Sequence, residues 1–235
     1  MYSTDGRIRY SEVGTDRKLT MESLLDYYQD VATFQTEDLG IGIGYMMERG
    51  LAWILSSWQV VINRYPSVGE RVRTSTIPYE WKSFLGYRNF LMETSDGEPL
   101  SYANSIWVLM DMGKGMPCKI PQELLDRFEL NGKYPMEYEP RKIKMPDGGE
   151  RMEPIIVKQH HLDTNEHVNN GQYVKMALDF VPEDRTVWQM RADYRRSAKL
   201  EDRMTPVVSK EGDRYSVNLE GDDGNPYCYV EFRTK

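Results

Sequence analysis

Cysteine and histidine are the scarce residues of this 235-residue chain, with two of the first and three of the second. Cys118 and Cys228 lie far apart, which excludes a disulfide framework and any clustered-cysteine metal motif and points to a reducing compartment. Positive charge is also short. There are 30 Lys and Arg against 37 Asp and Glu, a net charge of −7, so non-specific attraction to nucleic acid or to an anionic membrane surface is excluded. No apolar run approaches the ~20 residues of a membrane helix. The opening MYSTDGRIRYSEVG has no apolar signal-peptide core. A cytoplasmic protein without membrane insertion is expected. What the chain does have is aromatic residues: 16 Tyr and 5 Trp favour strands, and 40% hydrophobic residues suffice for a real core.

LTMESLLDYYQDVATFQTEDLG predicts a helix with Leu24, Tyr28, Val31 and Phe34 on one face, Thr20 as N-cap and Gly40 at its end. The GIGIG that follows lacks phosphate-loop spacing and reads as a flexible connection. Strand-like runs come next, two of them flanking the hairpin signal Asp96-Gly97. Residues 112–153 turn rich in Pro, Gly and charge, with a short helix at PQELLDRF. IIVKQHH then reads as a strand. NGQYVKMALDFV reads as a helix, with Tyr173, Val174, Ala177, Leu178 and Val181 on one face and Pro182 stopping it. TVWQMRADYRR alternates, with Trp188, Met190, Ala192 and Tyr194 on one side and Gln189, Arg191, Asp193 and Arg195 on the other. Each half thus predicts a strand, a helix and about four antiparallel strands. The fold class is α+β, with a helix burying its apolar side on each sheet. The expected division is a repeat at 1–115, a linker at 116–153 and a second repeat at 154–235.

All three histidines fall in HHLDTNEHVNN, residues 160–170. Asn169 and Asn170 stand where a helix start leaves N–H groups exposed, a setting that favours negative charge such as an acyl-transfer oxyanion. Asn165 and His167, two residues apart, face one cleft if the segment is extended. A neutral imidazole takes a proton from water near neutral pH, and a positioned amide orients the reacting groups. Metal binding is not expected: His160 and His161 would point to opposite faces of a strand, and the spacing matches no zinc motif. They read as structural or rim residues.

Asn165-Glu166-His167-Val168-Asn169-Asn170 with Tyr173 resembles the Asn-x-His-Val-Asn-Asn-x-x-Tyr motif of the plant and bacterial acyl-acyl-carrier-protein thioesterases. Trp58, Arg64-Tyr65-Pro66, Gly69-Glu70 and Asp193-Tyr194-Arg195-Arg196 are similar to further family segments, in the same order. The resemblance implies two tandem hot-dog repeats, each an antiparallel sheet wrapped around a helix. It implies hydrolysis of the thioester of fatty acyl-acyl carrier protein, with water as second substrate and no cofactor or metal. By that analogy Asp163, Asn165 and His167 are the catalytic residues of the second repeat, and the first repeat shapes the acyl-chain tunnel. The corresponding loop of the first half, RYSEVGTDRKLT, has no histidine.

One position departs from the family. Ser197 and Ala198 stand where many members have a catalytic glutamate followed by Cys or Ala. Glu201 is the candidate replacement carboxylate, with Asp163 already in the motif and Asp193 on the strand face opposite Ala192. Arg191, Arg195, Arg196 and Lys199 form a basic cluster, read either as a solvated strand edge or as the docking site for an acidic carrier protein. Acyl-CoA hydrolysis on the same fold and non-hydrolytic acyl binding are the alternatives. Fused repeats supply the pair that single hot-dog chains form by dimerising, and a homodimer of the whole chain stays open.

Overall fold

The computed structural model describes every residue from Met1 to Lys235 and divides into two compact units. The first holds Met1–Ser56 and Ile62–Tyr138, and the second holds Ser57–Val61 and Glu139–Lys235.

The first unit contains β1 (Tyr2–Arg7), α1 (Met21–Asp38), α2 (Ile43–Glu48), most of β2 (Leu51–Ile62), β3 (Arg71–Lys82), β4 (Leu85–Thr94), β5 (Pro99–Asp111), β6 (Met116–Pro117) and α3 (Gln122–Leu125). Its strand order is β1-β3-β4-β5-β2, with β6 added beside β5. The pairs β1/β3, β3/β4 and β4/β5 are antiparallel. Thr20 caps α1, its hydroxyl accepting the Ser23 N–H at 3.2 Å. The helix packs on β1 and β3. Leu24, Leu25, Tyr28 and Val31 are buried, and the Tyr28 ring lies 5.0 Å from that of Phe90.

Phe34 was expected on this face and is 48% exposed. With 3.6 residues per turn, positions 24, 28, 31 and 35 share the stripe. Gln35 therefore takes the buried place, and Phe34 lies about 100° away from it. The GIGIG segment also differs from expectation, because it caps a helix. Gly42 is the N-cap of α2, and the Glu37 carboxylate accepts the Ile43 N–H at 2.9 Å. A Cβ on Gly42 would stand 2.1 Å from the carboxyl carbon of Glu37, so only glycine allows that approach.

The second unit contains β7 (Glu150–Arg151), β8 (Ile155–Ile156), α4 (Asn170–Leu178), β9 (Val187–Tyr194), β10 (Arg203–Glu211), β11 (Arg214–Glu220) and β12 (Pro226–Thr234). Its order is β9-β12-β11-β10, with β7 and β8 both on β10. Residues 57–61 of β2 pair with β9, from Ser57↔Asp193 to Val61↔Gln189. Helix α4 packs on β11 and β12 and buries Tyr173, Val174 and Ala177. They join a core containing Met190, Val217, Val230 and Phe232, all fully buried. Full burial of one such aliphatic or Phe side chain stabilises by about 1.5–3 kcal/mol. Each unit is thus an antiparallel sheet packed on a helix, as the hot-dog arrangement requires.

Strand β9 alternates as expected, yet its polar side is not solvated. Gln189, Arg191 and Asp193 are 5%, 7% and 1% exposed. Residues 139–143 strap over that face. The Glu139 N–H donates to Gln59 Oε1 at 3.0 Å, the Ile143 N–H donates to Asp193 Oδ2 at 3.3 Å, and the Arg191 guanidinium donates to the Pro140 carbonyl. Polar alternation on a strand marks solvent only where nothing else supplies the hydrogen bonds; here the linker does. No helix of the protein is long and apolar enough to cross a membrane.

Candidate functional site

The histidine-bearing segment is a compact turn, not an extension of a strand. Strand β8 ends at Ile156, and Gln159–His161 forms a 3₁₀ turn. The His161 N–H donates to the Lys158 carbonyl at 2.9 Å, while the Lys158 N–H donates to His161 Nδ1 at 3.0 Å. These local bonds override the predicted strand and bring the His160 and His161 rings edge to face, 4.2 Å apart. The His161 pKa is lowered by burial, reinforced by the neighbouring charges of His160, Lys158 and Lys175.

Beyond it Leu162 bridges Val168 antiparallel. The Asp163 N–H donates to the His167 carbonyl at 2.8 Å, and the Glu166 N–H to the Asp163 carbonyl at 3.2 Å. Glu166 sits in the left-handed region at φ 60°, which turns the chain back. The extended geometry expected for Asn165 and His167 is therefore replaced by a tight turn. Asn165 is exposed at its tip and His167 is half-buried at its base.

Asp163 shapes this turn: its Oδ1 accepts the N–H groups of Asn165 at 2.8 Å and of His167 at 3.3 Å. The hydrogen bonds of His167 run through its backbone, and neither ring nitrogen is bonded within the chain. Asn169 closes the loop, donating its N–H to the His161 carbonyl at 2.9 Å. Its Oδ1 accepts the Gly171 N–H at 2.8 Å, and its carbonyl accepts the Gln172 N–H at 3.0 Å. Capping is thus what Asn169 does, and the Gly171 and Gln172 donors are spent on it. Asn170 is the first residue of α4, and its carbonyl accepts the Tyr194 hydroxyl at 2.9 Å. Asn169→Ala is expected to cost about 1 kcal/mol of stability while Asn169→Ser retains most of it, read by chemical unfolding.

A second segment meets the turn. The Val168 N–H donates to the Ala198 carbonyl at 2.9 Å, and the Ala198 N–H donates to the Tyr173 hydroxyl at 2.8 Å. Ser197 is exposed beside that junction. The Tyr173 and Tyr194 rings meet edge to face at 5.8 Å, and burial raises both phenol pKa values. These tyrosines tie helix, strand and loop together. Sequence reasoning placed Tyr173 in the core without this role; the available signal was that a buried phenol needs a partner.

Glu201 does not join the turn through any hydrogen bond or ion pair. It occupies a left-handed corner at φ 68°, its N–H held by the Val157 carbonyl at 3.0 Å and its side chain exposed. Asp193, the other carboxylate weighed, is committed to the Ile143 N–H and to Arg195 at 2.6 Å, and burial raises its pKa. Asp163 is the carboxylate bonded to His167, through the His167 backbone N–H and not its ring.

The basic cluster is dispersed. Arg191 cannot face a partner, because it is buried with its guanidinium 3.3 Å from the Glu231 carboxylate, itself 3% exposed. Arg195 stacks on Tyr229 while holding Asp193. Arg196 stacks on Tyr227 and forms a two-pronged pair with Asp223 at 2.7 and 2.8 Å. Lys199 is exposed.

The first unit contains the same turn without the imidazole. Val13 bridges Leu19 as Leu162 bridges Val168. The Gly14 N–H donates to the Lys18 carbonyl at 2.9 Å, as Asp163 does to His167. Arg17, at φ 61°, matches Glu166, and Thr20 caps α1 as Asn169 caps α4. The following segments match too: the Leu19 N–H bonds to the Pro66 carbonyl as Val168 bonds to Ala198. Ser67-to-Glu70 side-chain capping parallels Lys199-to-Asp202. Lys18 therefore stands where the second unit has His167, and Gly14 where it has Asp163.

Two sequence profiles cover most of the chain: the acyl-ACP thioesterase N-terminal domain matches residues 1–128, and the acyl-ACP thioesterase C-terminal domain matches residues 145–230. The chain belongs to the acyl-ACP thioesterase family. It is 29% identical over 217 residues to a chloroplastic palmitoyl-acyl carrier protein thioesterase of Gossypium hirsutum, a match covering 83% of this chain and 52% of that protein. It is 26% identical over 240 residues to a chloroplastic dodecanoyl-[acyl-carrier-protein] hydrolase of Cinnamomum camphora, covering 90% and 60%. The chain thus spans little more than half the length of the curated relatives it matches. Among solved structures, an acyl-ACP thioesterase from Bacteroides thetaiotaomicron superposes with a TM-score of 0.91 at 20% identity, over 99% of this chain and 97% of that one. The 12:0-ACP thioesterase from Umbellularia californica superposes at 0.88 with 22% identity, over 100% and 96%. At these identities the superpositions establish the shared fold.

Proposed function

We propose that the protein hydrolyses the thioester joining a fatty acyl chain to the phosphopantetheine arm of acyl carrier protein, releasing free fatty acid and so ending chain elongation. The observation that carries this reading is the 163–169 turn, which presents an unbonded imidazole in the second unit alone. In this reading His167 removes a proton from the attacking water, water oxygen bonds to the carbonyl carbon, the C–S bond breaks, and the proton passes to the departing sulfur. Asn165 orients the reacting groups at the turn's tip. Asp163 holds the His167 backbone and biases the loop electrostatically. Asn169 and Asn170 set the helix start that frames the site. Residues 1–115 shape the acyl chain's tunnel, 116–153 form the linker, and 154–235 carry the catalytic loop. Lys199, with the partly exposed Arg195 and Arg196, is what remains of the docking surface for an acidic carrier. The unpaired Cys118 and Cys228 support a reducing compartment, the cytoplasm.

The test is to offer one acyl chain on carrier protein and on CoA and to measure kcat/KM for each. The reading expects faster turnover of the carrier-borne chain. A clear preference for CoA would move the protein to acyl-CoA hydrolysis, and binding of both without turnover would make it an acyl-binding protein.

A further inference from the structure

Of the two matching loops, only the one bearing the imidazole is braced by tyrosine hydroxyls. In the second unit the Ala198 backbone is used twice. Its carbonyl accepts the Val168 N–H at 2.9 Å, and its N–H donates to the Tyr173 hydroxyl at 2.8 Å. Tyr173 stands on α4 and so holds the stretch that holds the residue next to His167. A second phenol acts on the other side. The Tyr194 hydroxyl donates to the carbonyl of Asn170, the first residue of α4, at 2.9 Å. His167 precedes both anchored residues, Val168 and Asn170, within one short stretch of chain. Ala198 and Tyr173 are 0% and 2% exposed, so water does not compete for the bond between them.

The first unit supplies an internal comparison. Its main chain follows the same course. The Asn63 and Arg64 N–H groups both donate to the Leu100 carbonyl, as those of Arg195 and Arg196 donate to the Tyr227 carbonyl. The Leu19 N–H donates to the Pro66 carbonyl, as Val168 does to Ala198. Position by position, however, the bracing groups are missing. Four residues beyond each N-cap, Leu24 stands where the second unit has Tyr173. Pro66, which has no N–H to be held, stands where it has Ala198. Four residues before these, each the last of its strand, Ile62 stands where it has Tyr194. The loop therefore keeps its shape with neither hydroxyl, and shape alone gives no reason for two phenols in the other copy.

We propose that Tyr173 is a positioning residue for His167, with Tyr194 supporting it from the helix start. The inference rests on the reading of His167 as the base of thioester hydrolysis. Main-chain bonds give the turn its form; the bonds from Tyr173 through Ala198 to Val168 fix where it stands on α4. A reacting imidazole needs that fixed place, because a misplacement of about 1 Å costs on the order of 10²-fold in rate. Burial raises the Tyr173 pKa, so its phenol stays neutral and holds without ionising.

The experiment follows hydrolysis of one acyl chain on carrier protein by the full chain, at a temperature where melts show every variant folded. Tyr173→Phe should lower kcat about tenfold to 10²-fold and leave KM within about twofold. In a His167→Ala background the same change should lower the residual rate by less than about twofold, because a residue acting only through His167 has nothing further to lose. Tyr173→Phe strands the buried Ala198 N–H. If it fails to fold, Tyr173→Leu combined with Ala198→Pro decides, copying Leu24 and Pro66. With donor and acceptor both gone, this pair should melt near the parent and show the same loss in kcat. The ring resonances of His167, assigned by their absence in His167→Ala, give a readout free of turnover. They should shift in either variant, and by more than those of His160 and His161. A kcat within about twofold of the parent, an equal loss in the His167→Ala background, or unmoved His167 resonances in a folded variant overturns the proposal. A parent without turnover removes the hydrolytic reading instead, and the resonances then decide the positioning role alone.

Discussion

Replacing His167 with alanine is expected to slow thioester hydrolysis by about 10²–10⁴, the range that one positioned proton transfer contributes. The same change should move stability by no more than about 1 kcal/mol, because the imidazole makes no hydrogen bond within the chain and the turn is held by backbone and by Asp163. The two effects are separable. Single-turnover rates with an acyl-carrier substrate give the first, and a urea melt gives the second. A variant that keeps its rate within roughly threefold of the parent would remove His167 from the chemistry, since so small a change is under 1 kcal/mol of barrier. A variant that melts early instead would show that the ring was a structural element of the turn.

Arg191→Ala should produce the largest loss of stability among side chains outside the apolar cores, about 3–5 kcal/mol, the usual cost of leaving a buried charge unpaired. For a chain of this length that is a fall in Tm on the order of 10 °C. Three contacts are lost together: Glu231 at 3.3 Å, Glu139 at 3.9 Å, and the Pro140 carbonyl. Arg214, 3.5 Å from Glu231, stays behind and keeps the residual charge from being wholly isolated. The double change Arg191→Met with Glu231→Leu should cost less than Arg191→Ala alone, because removing both charges leaves neither stranded. Calorimetry of the two variants decides the matter. A double variant less stable than the single one would mean that the pair is net stabilising.

These expectations also mark where the sequence was legible. Period-3.6 patterning identified α1 and α4, and both N-caps, Thr20 and Asn169, could be read directly because capping depends on one side chain and its own backbone. Alternation along β9 was equally plain. What could not be read was what covers each face. Arg191 and Asp193 had the pattern of a solvated edge, and only the fold shows residues 139–143 laid across them. His160 and His161 looked like strand neighbours pointing apart, until two bonds between Lys158 and His161 curled them into one turn. Phe34 lost its place to Gln35 because the buried stripe follows the helix period, not hydrophobicity alone. The candidate site followed the same rule. Its residue types and spacing were visible in Asn165 to Asn170, whereas the left-handed Glu166 that bends them into a turn was not.

The recurrence of one loop shape in both units has a consequence for how reactivity could arise or vanish in such a chain. Gly14-to-Thr20 and Asp163-to-Asn169 share their main-chain bonding, so neither copy needs an imidazole to keep its form. Shape and reactivity are thus inherited separately. A copy can lack the imidazole and go on serving as architecture, because the ring takes no part in the bonds that hold the loop.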